Sequence, residues 1–472
     1  MKHFKISILV LLAIGLTACD EDYLDRDPIS AITSDSYYNN EDELLTGIIN
    51  MYDGIQGINS TSSRDNHGIQ IEYQLTEMYS DNTETKSSEG EQAQFQTFNV
   101  ESTNGIVTDY YRSMFNVIFR ANVVLENIDV ASDENRLAFE GEAKFVRAYT
   151  YFQLVRLFGD LPMVDKVLDP LDYETQFTRV STDEIYALIE SDLQVAIAGM
   201  GDGSYGRGSR AAAQALLAKV YLTRQNYTAA IPLLESVMSA GYELESDYQD
   251  VFYSEGNNEV LFAIVYDGDD SQNSQNFSAE WLNSVGRSTG LNYVTVEAAA
   301  AIDALGGTRA AYTYRVDPVQ PTKNQVAKYI PNGDSSLGIE STSSNPVLAG
   351  NDWIILRYSD VLLMYAEAVM GEFDLTNDPR ALGAFQEVRN RAGLTDAVTS
   401  ITKQELLDER RVELAFENKR WFDLQRFGVA LEVLSEFSNN NGYQFSATDL
   451  LLPIPQNEIG LSKGLLTQNP GY

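Results

Sequence analysis

The chain has one cysteine, two histidines and three tryptophans in 472 residues, and it is short of positive charge, with 33 lysines and arginines against 69 aspartates and glutamates. Each shortage removes a class of chemistry. Cys19 is the only cysteine, so an internal disulfide framework, a Cys–His zinc site and a Cys–His catalytic pair all lack their parts. A Ser–His–Asp triad would have to draw on His67, which stands in the polar run Ser62-Ser63-Arg64-Asp65-Asn66-His67-Gly68 and is expected to be a solvated loop residue. The formal net charge of −36 opposes nucleic acid and anionic lipid headgroups, so neither is an expected partner. Such acidity also fits a saline habitat. No stretch approaches the roughly 20 apolar residues that span a bilayer.

The N-terminus is informative. Lys2 and Lys5 precede an apolar run over residues 6–16, which has the length of a signal-peptide core, and Leu16-Thr17-Ala18-Cys19 follows in the manner of a bacterial lipobox. The expectation is removal of residues 1–18 and lipidation of Cys19, giving a protein anchored to a membrane without spanning it. Loss of Lys2 and Lys5 takes the net charge to −38.

No Pro/Gly/Ser-rich linker divides residues 19–472, and helical patterns recur along them, so a single unit is expected. Within residues 210–242, Ala218, Tyr221, Tyr227, Ala230, Leu234 and Val237 stand at the offsets of a tetratricopeptide repeat, with Gln225-Asn226 as the turn. Residues 361–368 and 381–391 would pair around Asp378-Pro379, and residues 142–158 are apolar nearly all round until Gly159-Asp160-Leu161-Pro162 stops them. The fold expected is mostly α, with tetratricopeptide-like helix pairs in a superhelical scaffold. Two long irregular segments, 60–103 and 266–352, interrupt it, and excursions of that length commonly carry function.

Four motifs then stand in order. The first is Glu142-Ala143-Lys144-Phe145-Val146-Arg147-Ala148-Tyr149, continued by Leu154-Val155-Arg156-Leu157-Phe158-Gly159-Asp160-Leu161-Pro162. The second is Leu356-Arg357-Tyr358-Ser359-Asp360-Val361-Leu362-Leu363-Met364-Tyr365-Ala366-Glu367-Ala368, followed by Val388-Arg389-Asn390-Arg391-Ala392-Gly393-Leu394. The third is Glu409-Arg410-Arg411-Val412-Glu413-Leu414-Ala415-Phe416-Glu417 with Arg420-Trp421-Phe422-Asp423-Leu424. The fourth is Pro453-Ile454-Pro455-Gln456 with Gln468-Asn469-Pro470-Gly471-Tyr472. Together they resemble the SusD/RagB family of lipidated nutrient-binding proteins of the Bacteroidetes. The resemblance implies an outer-membrane, cell-surface protein that sits over a SusC-like TonB-dependent transporter and hands it oligosaccharides without hydrolysing them. Asp20-Glu21-Asp22 resembles the acidic surface-export signal of such lipoproteins. The motifs themselves are expected to be structural, with Arg410 and Glu413, Glu417 and Arg420, and Asp423 and Arg426 pairing three apart on one helix.

Candidate sites follow. Gly201-Asp202-Gly203-Ser204-Tyr205-Gly206 matches G-x-G-x-x-G but follows a helical pattern, so it reads as a loop between helices. No cofactor is expected; Asp267, Asp269 and Asp270 fail the EF-hand spacing and read as an acidic turn, with an irregular calcium site as the alternative. Among 69 acidic residues no carboxylate pair stands out as a glycosidase couple. Sugar rings stack on flat aromatic faces, and hydroxyls need amide or charged partners. Trp421 lies within a motif and reads as core, and Trp353 as core or rim. Trp281, with Asn283, Arg287 and Tyr293, is expected to form an exposed platform, with Tyr73, Asp81 and Asn82 from the first excursion as secondary ligand contacts. The function expected is capture of a neutral glycan such as a laminarin-type β-glucan. Peptide capture, as in RagB-like relatives, is the alternative, and a surface glycoside hydrolase a more distant one.

Overall fold

The expected helix pair forms as Arg210–Thr223 (α5) and Tyr227–Met238 (α6), numbering the longer helices in chain order. Ser209 caps the first by accepting the Ala212 N–H at 3.0 Å. The chain reverses at Gln225, whose φ of 58° lies in the left-handed region. Ala218 and Ala230 have no exposed surface, so their small side chains let the two backbones approach, and Leu234 and Val237 fill the seam.

The same construction extends through a computed structural model that describes residues 37–60, 65–85, 89–281 and 292–472. Upstream lie Glu41–Gln56 (α1), Gly105–Glu126 (α2), Arg136–Phe158 (α3) and Thr182–Gly199 (α4); downstream lie Val296–Leu305 (α7), Tyr358–Met370 (α8), Pro379–Arg391 (α9), Lys403–Glu413 (α10) and Ala430–Asn441 (α11). From α1 to α6 each helix packs on the next, α8 continues the stack from α6, and α9 packs on α8. The fold is mostly α. Helix α3 lies inside the stack and is buried on nearly every face from Gly141 onward. A Cβ at Gly199 would stand 2.1 Å from the Leu137 carbonyl oxygen, so only glycine lets α4 end that close to α3. The glycine-rich stretch after α4 leads into α5, with no βαβ unit around it.

The C-terminal motif ties the end of α3. Leu452 N–H donates to the Leu157 carbonyl at 2.7 Å, and the Asn469 amide donates to the carbonyls of Phe158 (2.9 Å) and Leu452 (2.7 Å). The Gln468 side chain pairs with both backbone groups of Ile454, at 2.7 and 2.8 Å, in place of a strand neighbour. One continuous apolar core runs from Leu44 to Leu466.

Three expectations change. The segment 60–103 is not a solvated loop: it contains the helices Glu72–Thr76 and Glu91–Gln96, and the strand Thr83–Thr85 (β1). His67 is 7% exposed and its Nε2 lies 3.1 Å from the Ser60 carbonyl oxygen, so it is buried beside backbone it can bond. The third motif is not one helix either. Helix α10 ends at Glu413, Phe416 (φ 63°) and Asn418 (φ 57°) break the chain, and a new helix starts at Arg420.

Candidate functional site

Short strands join the two excursions. Asn292–Val294 (β3), Tyr314–Val316 (β4) and Asn324–Val326 (β5) form an antiparallel sheet with β1 in the order β1-β3-β5-β4, numbering Val260–Ile264 as β2. The register sets Glu84 opposite Tyr293, Val294 opposite Asn324, and Arg315 opposite Gln325. Alternation then places Glu84, Tyr293, Lys323, Gln325 and Arg315 on one face. Lys323 lies 2.5 Å from Glu84 and 5.5 Å from the centre of the Tyr293 ring, and Arg315 donates to Gln325 at 3.1 Å. Below the sheet, β2 pairs with Trp353–Arg357 (β6) and closes the base of the second excursion with wholly buried residues.

The expected aromatic platform is interior. Trp281 is 1% exposed and touches Tyr73 edge-on at 5.5 Å, Tyr329 at 5.1 Å, Phe277 at 5.8 Å and Trp353 at 5.9 Å between ring centres. Tyr329 stacks on Trp353 at 5.4 Å. Trp281, Trp353, Tyr73 and Tyr293 are brought to the junction of the excursions, but none offers an open face, because rings this large stabilise the junction most when removed from water. Asn283 and Arg287 lie outside the described residues, as does Cys19.

Asp81 and Asn82 are buried as well, and charge explains it. Asp81 meets Arg420 through two bonds of 2.8 and 2.9 Å and Arg411 at 3.0 Å, while Asn82 accepts from Arg411 at 3.0 Å. Burial raises the Asp81 pKa, but the two guanidinium groups outweigh it and hold the carboxyl well below its ordinary value. The arginines belong to the third motif, whose charges work across the fold. Arg357 bonds Glu259, Glu413 and Glu417, Arg309 bonds Glu409 and Glu413, Lys328 bonds Glu417, and Arg410 joins Asp360 to Asp423. Only Arg426 and Asp423 keep the expected spacing of three, at 2.9 Å. Trp421 is fully buried, as its place in the motif suggested.

The acidic turn is exposed, as expected, with Asp267 and Asp269 on the surface and Asp270 half-buried. Asp269 accepts from Ser343 Oγ at 2.7 Å, Ser344 N at 3.0 Å and Asn345 N at 2.9 Å, and Asp270 accepts from Gln272 N at 2.6 Å. Asp269 thereby ties the start of the second excursion to residues 343–345 near its end, while Asp270 closes its own turn.

Two of the open concavities on the described surface are large enough to bear on binding. One, of about 760 Å³, lies within the second excursion beside β4 and is lined by Arg315, Asn332, Asp334 and Ser336 with Val316 and Pro318. Asp334 pairs with Arg315 and accepts from Ser336 N at 2.9 Å; burial raises its pKa, but these bonds hold it below the ordinary value. It is the only acidic residue of the lining, so the cleft offers ionic and hydroxyl partners and lacks the carboxylate couple that glycoside hydrolysis needs. The other, of about 330 Å³, runs along α2 and has aromatic walls from Tyr111, Phe115 and Phe119, rimmed by the Arg112–Glu458 pair at 2.6 Å. Residue patterning did not single out either one; Arg315 and Asp334 are 19 positions apart within an irregular segment, and Phe119 sits on a helix where apolar residues are expected to be buried.

A stacked-helix scaffold that carries open clefts rich in hydrogen-bonding groups defines a binding protein. Family models carry this further: one described as the SusD family matches residues 283–472, and one described as starch-binding and associating with the outer membrane matches residues 22–222. The chain belongs to the SusD family. SusD-like protein P2 of Formosa agariphila is 27% identical over 100% of both chains. Starch-binding protein SusD of Bacteroides thetaiotaomicron is 22% identical, covering 99% of this chain and 98% of its own. A solved laminarin-binding SusD-like protein is 25% identical, with a TM-score of 0.75 over 92% of this chain and 100% of that one.

Proposed function

We propose that this protein is a surface nutrient-capture lipoprotein, anchored through Cys19 in the outer membrane, that binds a neutral glycan of laminarin type and delivers it to a SusC-like TonB-dependent transporter. The observation that carries the glycan is the full-length likeness to a relative named as laminarin-binding. The starch-binding relative supports the ligand class, and the family model described as associating with the outer membrane supports the location. Trp281 offers no face to a sugar ring, since it is buried. The capture surface is assigned to the β4 cleft, where Arg315, Asp334, Asn332 and Ser336 can meet sugar hydroxyls. Peptide capture is a second reading, favoured by one feature: the cleft is charged and has no aromatic lining.

The test is calorimetric titration of residues 20–472 with laminarin oligosaccharides, an anionic glycan and mixed peptides, alongside Arg315→Ala and Phe119→Ala. Saturable laminarin binding without product release, lost in Arg315→Ala, supports both ligand and site. Loss in Phe119→Ala alone moves the site to the α2 groove. Peptide binding with no glycan response replaces the glycan reading.

A further inference from the structure

A cavity of about 30 Å³, lined by both charged and apolar side chains, lies between α3, α5, β6 and the segment after Phe416. One water fills roughly 10–15 Å³ by the same measure, so two small species fit. Four cations line it: Arg156, Lys219, Lys419 and Arg426. Two are matched. Lys219 lies 2.6 Å from Asp360, and Arg426 reaches Glu367 at 2.8 Å and Asp423 at 2.9 Å. Arg410, behind them, bridges Asp360 and Asp423, so three cations face three carboxylates and cancel.

The other two are not matched. Lys419 donates to the Ile355 carbonyl at 2.9 Å and has no carboxylate partner among the described residues. Arg156 donates to the Phe152 carbonyl at 2.9 Å and to Gln153, and is held between the rings of Phe152 (3.8 Å) and Phe422 (3.6 Å), again without a carboxylate. The one carboxylate left on the lining is Glu72, whose oxygens accept from Tyr110 at 2.6 Å, Gln153 at 2.9 Å and Asn418 at 2.9 Å. Arg156 and Lys419 are half-buried, so one positive charge is left without a carboxylate at a partly desolvated site of a chain whose net charge is −36. An unpaired charge at such a site is costly and is normally met by a counter-ion or by loss of the proton. Burial lowers the Lys419 pKa and brings that of Arg156 down to about 10, which is the penalty a counter-ion would relieve.

We infer that this cavity binds one chloride ion, held by Lys419 Nζ and the Arg156 guanidinium, with a water beside it on the unpartnered Asn418 Oδ1. The ion joins the first motif, through Arg156, to the third, through Lys419, directly beneath Trp353 and the base of the second excursion. It stabilises the floor on which the cleft is built, and it stands independently of which ligand the cleft takes.

The test compares thermal unfolding of residues 20–472 in sodium chloride and sodium gluconate at equal ionic strength. It is paired with anomalous scattering from a bromide-soaked crystal. The expected result is a saturable rise of about 2–3 °C in chloride over gluconate, abolished in Lys419→Met, with a bromide peak between Lys419 and Arg156. If Lys419→Met does not fold, the wild-type bromide map decides. Equal melting in the two salts with only water in the cavity overturns the inference, as does bromide bound elsewhere alone.

Discussion

Trp281 is the residue whose placement changes the most. Its indole packs against four aromatic rings, yet its N–H has no partner among the described residues, so its contribution is shape and area without a hydrogen bond. Trp281→Ala is expected to cost about 3–5 kcal/mol of stability, while Trp281→Phe, which keeps a ring and removes the unpaired donor, should cost under about 1.5 kcal/mol. Denaturant unfolding of both variants checks this, and equal losses would mean that the N–H is bonded in solution. Glu77 gives a pH-dependent counterpart. Burial raises its carboxyl from 4.5 to about 7, against the opposing bonds from Asn82 and the Asn418 N–H. A carboxyl raised on folding binds more protons in the native state between those values, so stability present at low pH is lost as pH rises through about 7. Glu77→Gln keeps an acceptor for the Asn418 N–H and does not titrate. The wild type should therefore fall relative to the variant by about 2–3 kcal/mol between pH 5 and pH 8, measured by urea unfolding at each pH. A pH-independent difference would place the proton elsewhere.

At the scale of elements, the seam of α5 and α6 is set by small residues. Ala218 is fully buried against α6, so Ala218→Leu should overpack the pair and cost about 1–3 kcal/mol, read as a lower unfolding midpoint with unchanged helical content. This seam was legible in sequence because its signal is local: alanines and large residues at fixed offsets, with a polar turn between. Helix α3, the pair α8–α9 capped at Asp378, and the core role of Trp421 were legible for the same reason. The excursions were not. Polar composition in residues 60–103 suggested solvent, but Asp81 and Asn82 are buried by Arg411 and Arg420, more than 320 positions away. No local pattern encodes a partner at that distance. Trp281 misled likewise: its polar sequence neighbours say nothing of Tyr73, Tyr329 and Trp353, which come from the helix Glu72–Thr76, the segment after β5, and β6. The third motif reads in sequence as one helix with charges paired three apart; instead Arg410 and Glu413 turn to Asp360, Arg309 and Arg357, and the break at Phe416 and Asn418 separates them from Arg420 and Asp423.

For the whole molecule, the surplus of 36 negative charges is spread over a surface with few compensating cations. Self-repulsion of this kind opposes the compact state and is screened by salt, because the Debye length falls from about 30 Å at 0.01 M to about 3 Å at 1 M. The interior ion network around Arg357 is shielded from bulk ions by burial, so salt should relieve the surface without dissolving the core. The melting temperature is therefore expected to rise with sodium gluconate across that range, before any effect particular to chloride. Ligands should sort by the same field. A neutral glycan should bind with an affinity that hardly depends on ionic strength, and an anionic one should bind weakly in dilute buffer and better as salt is added. Titrations of both at low and high gluconate measure the two slopes. A melting temperature that fell with gluconate would show that exposed ion pairs such as Arg112–Glu458 and Arg120–Asp53 stabilise the fold more than the net charge destabilises it. An anionic ligand that bound best at low salt would place a local positive site, with Arg315 the first residue to replace.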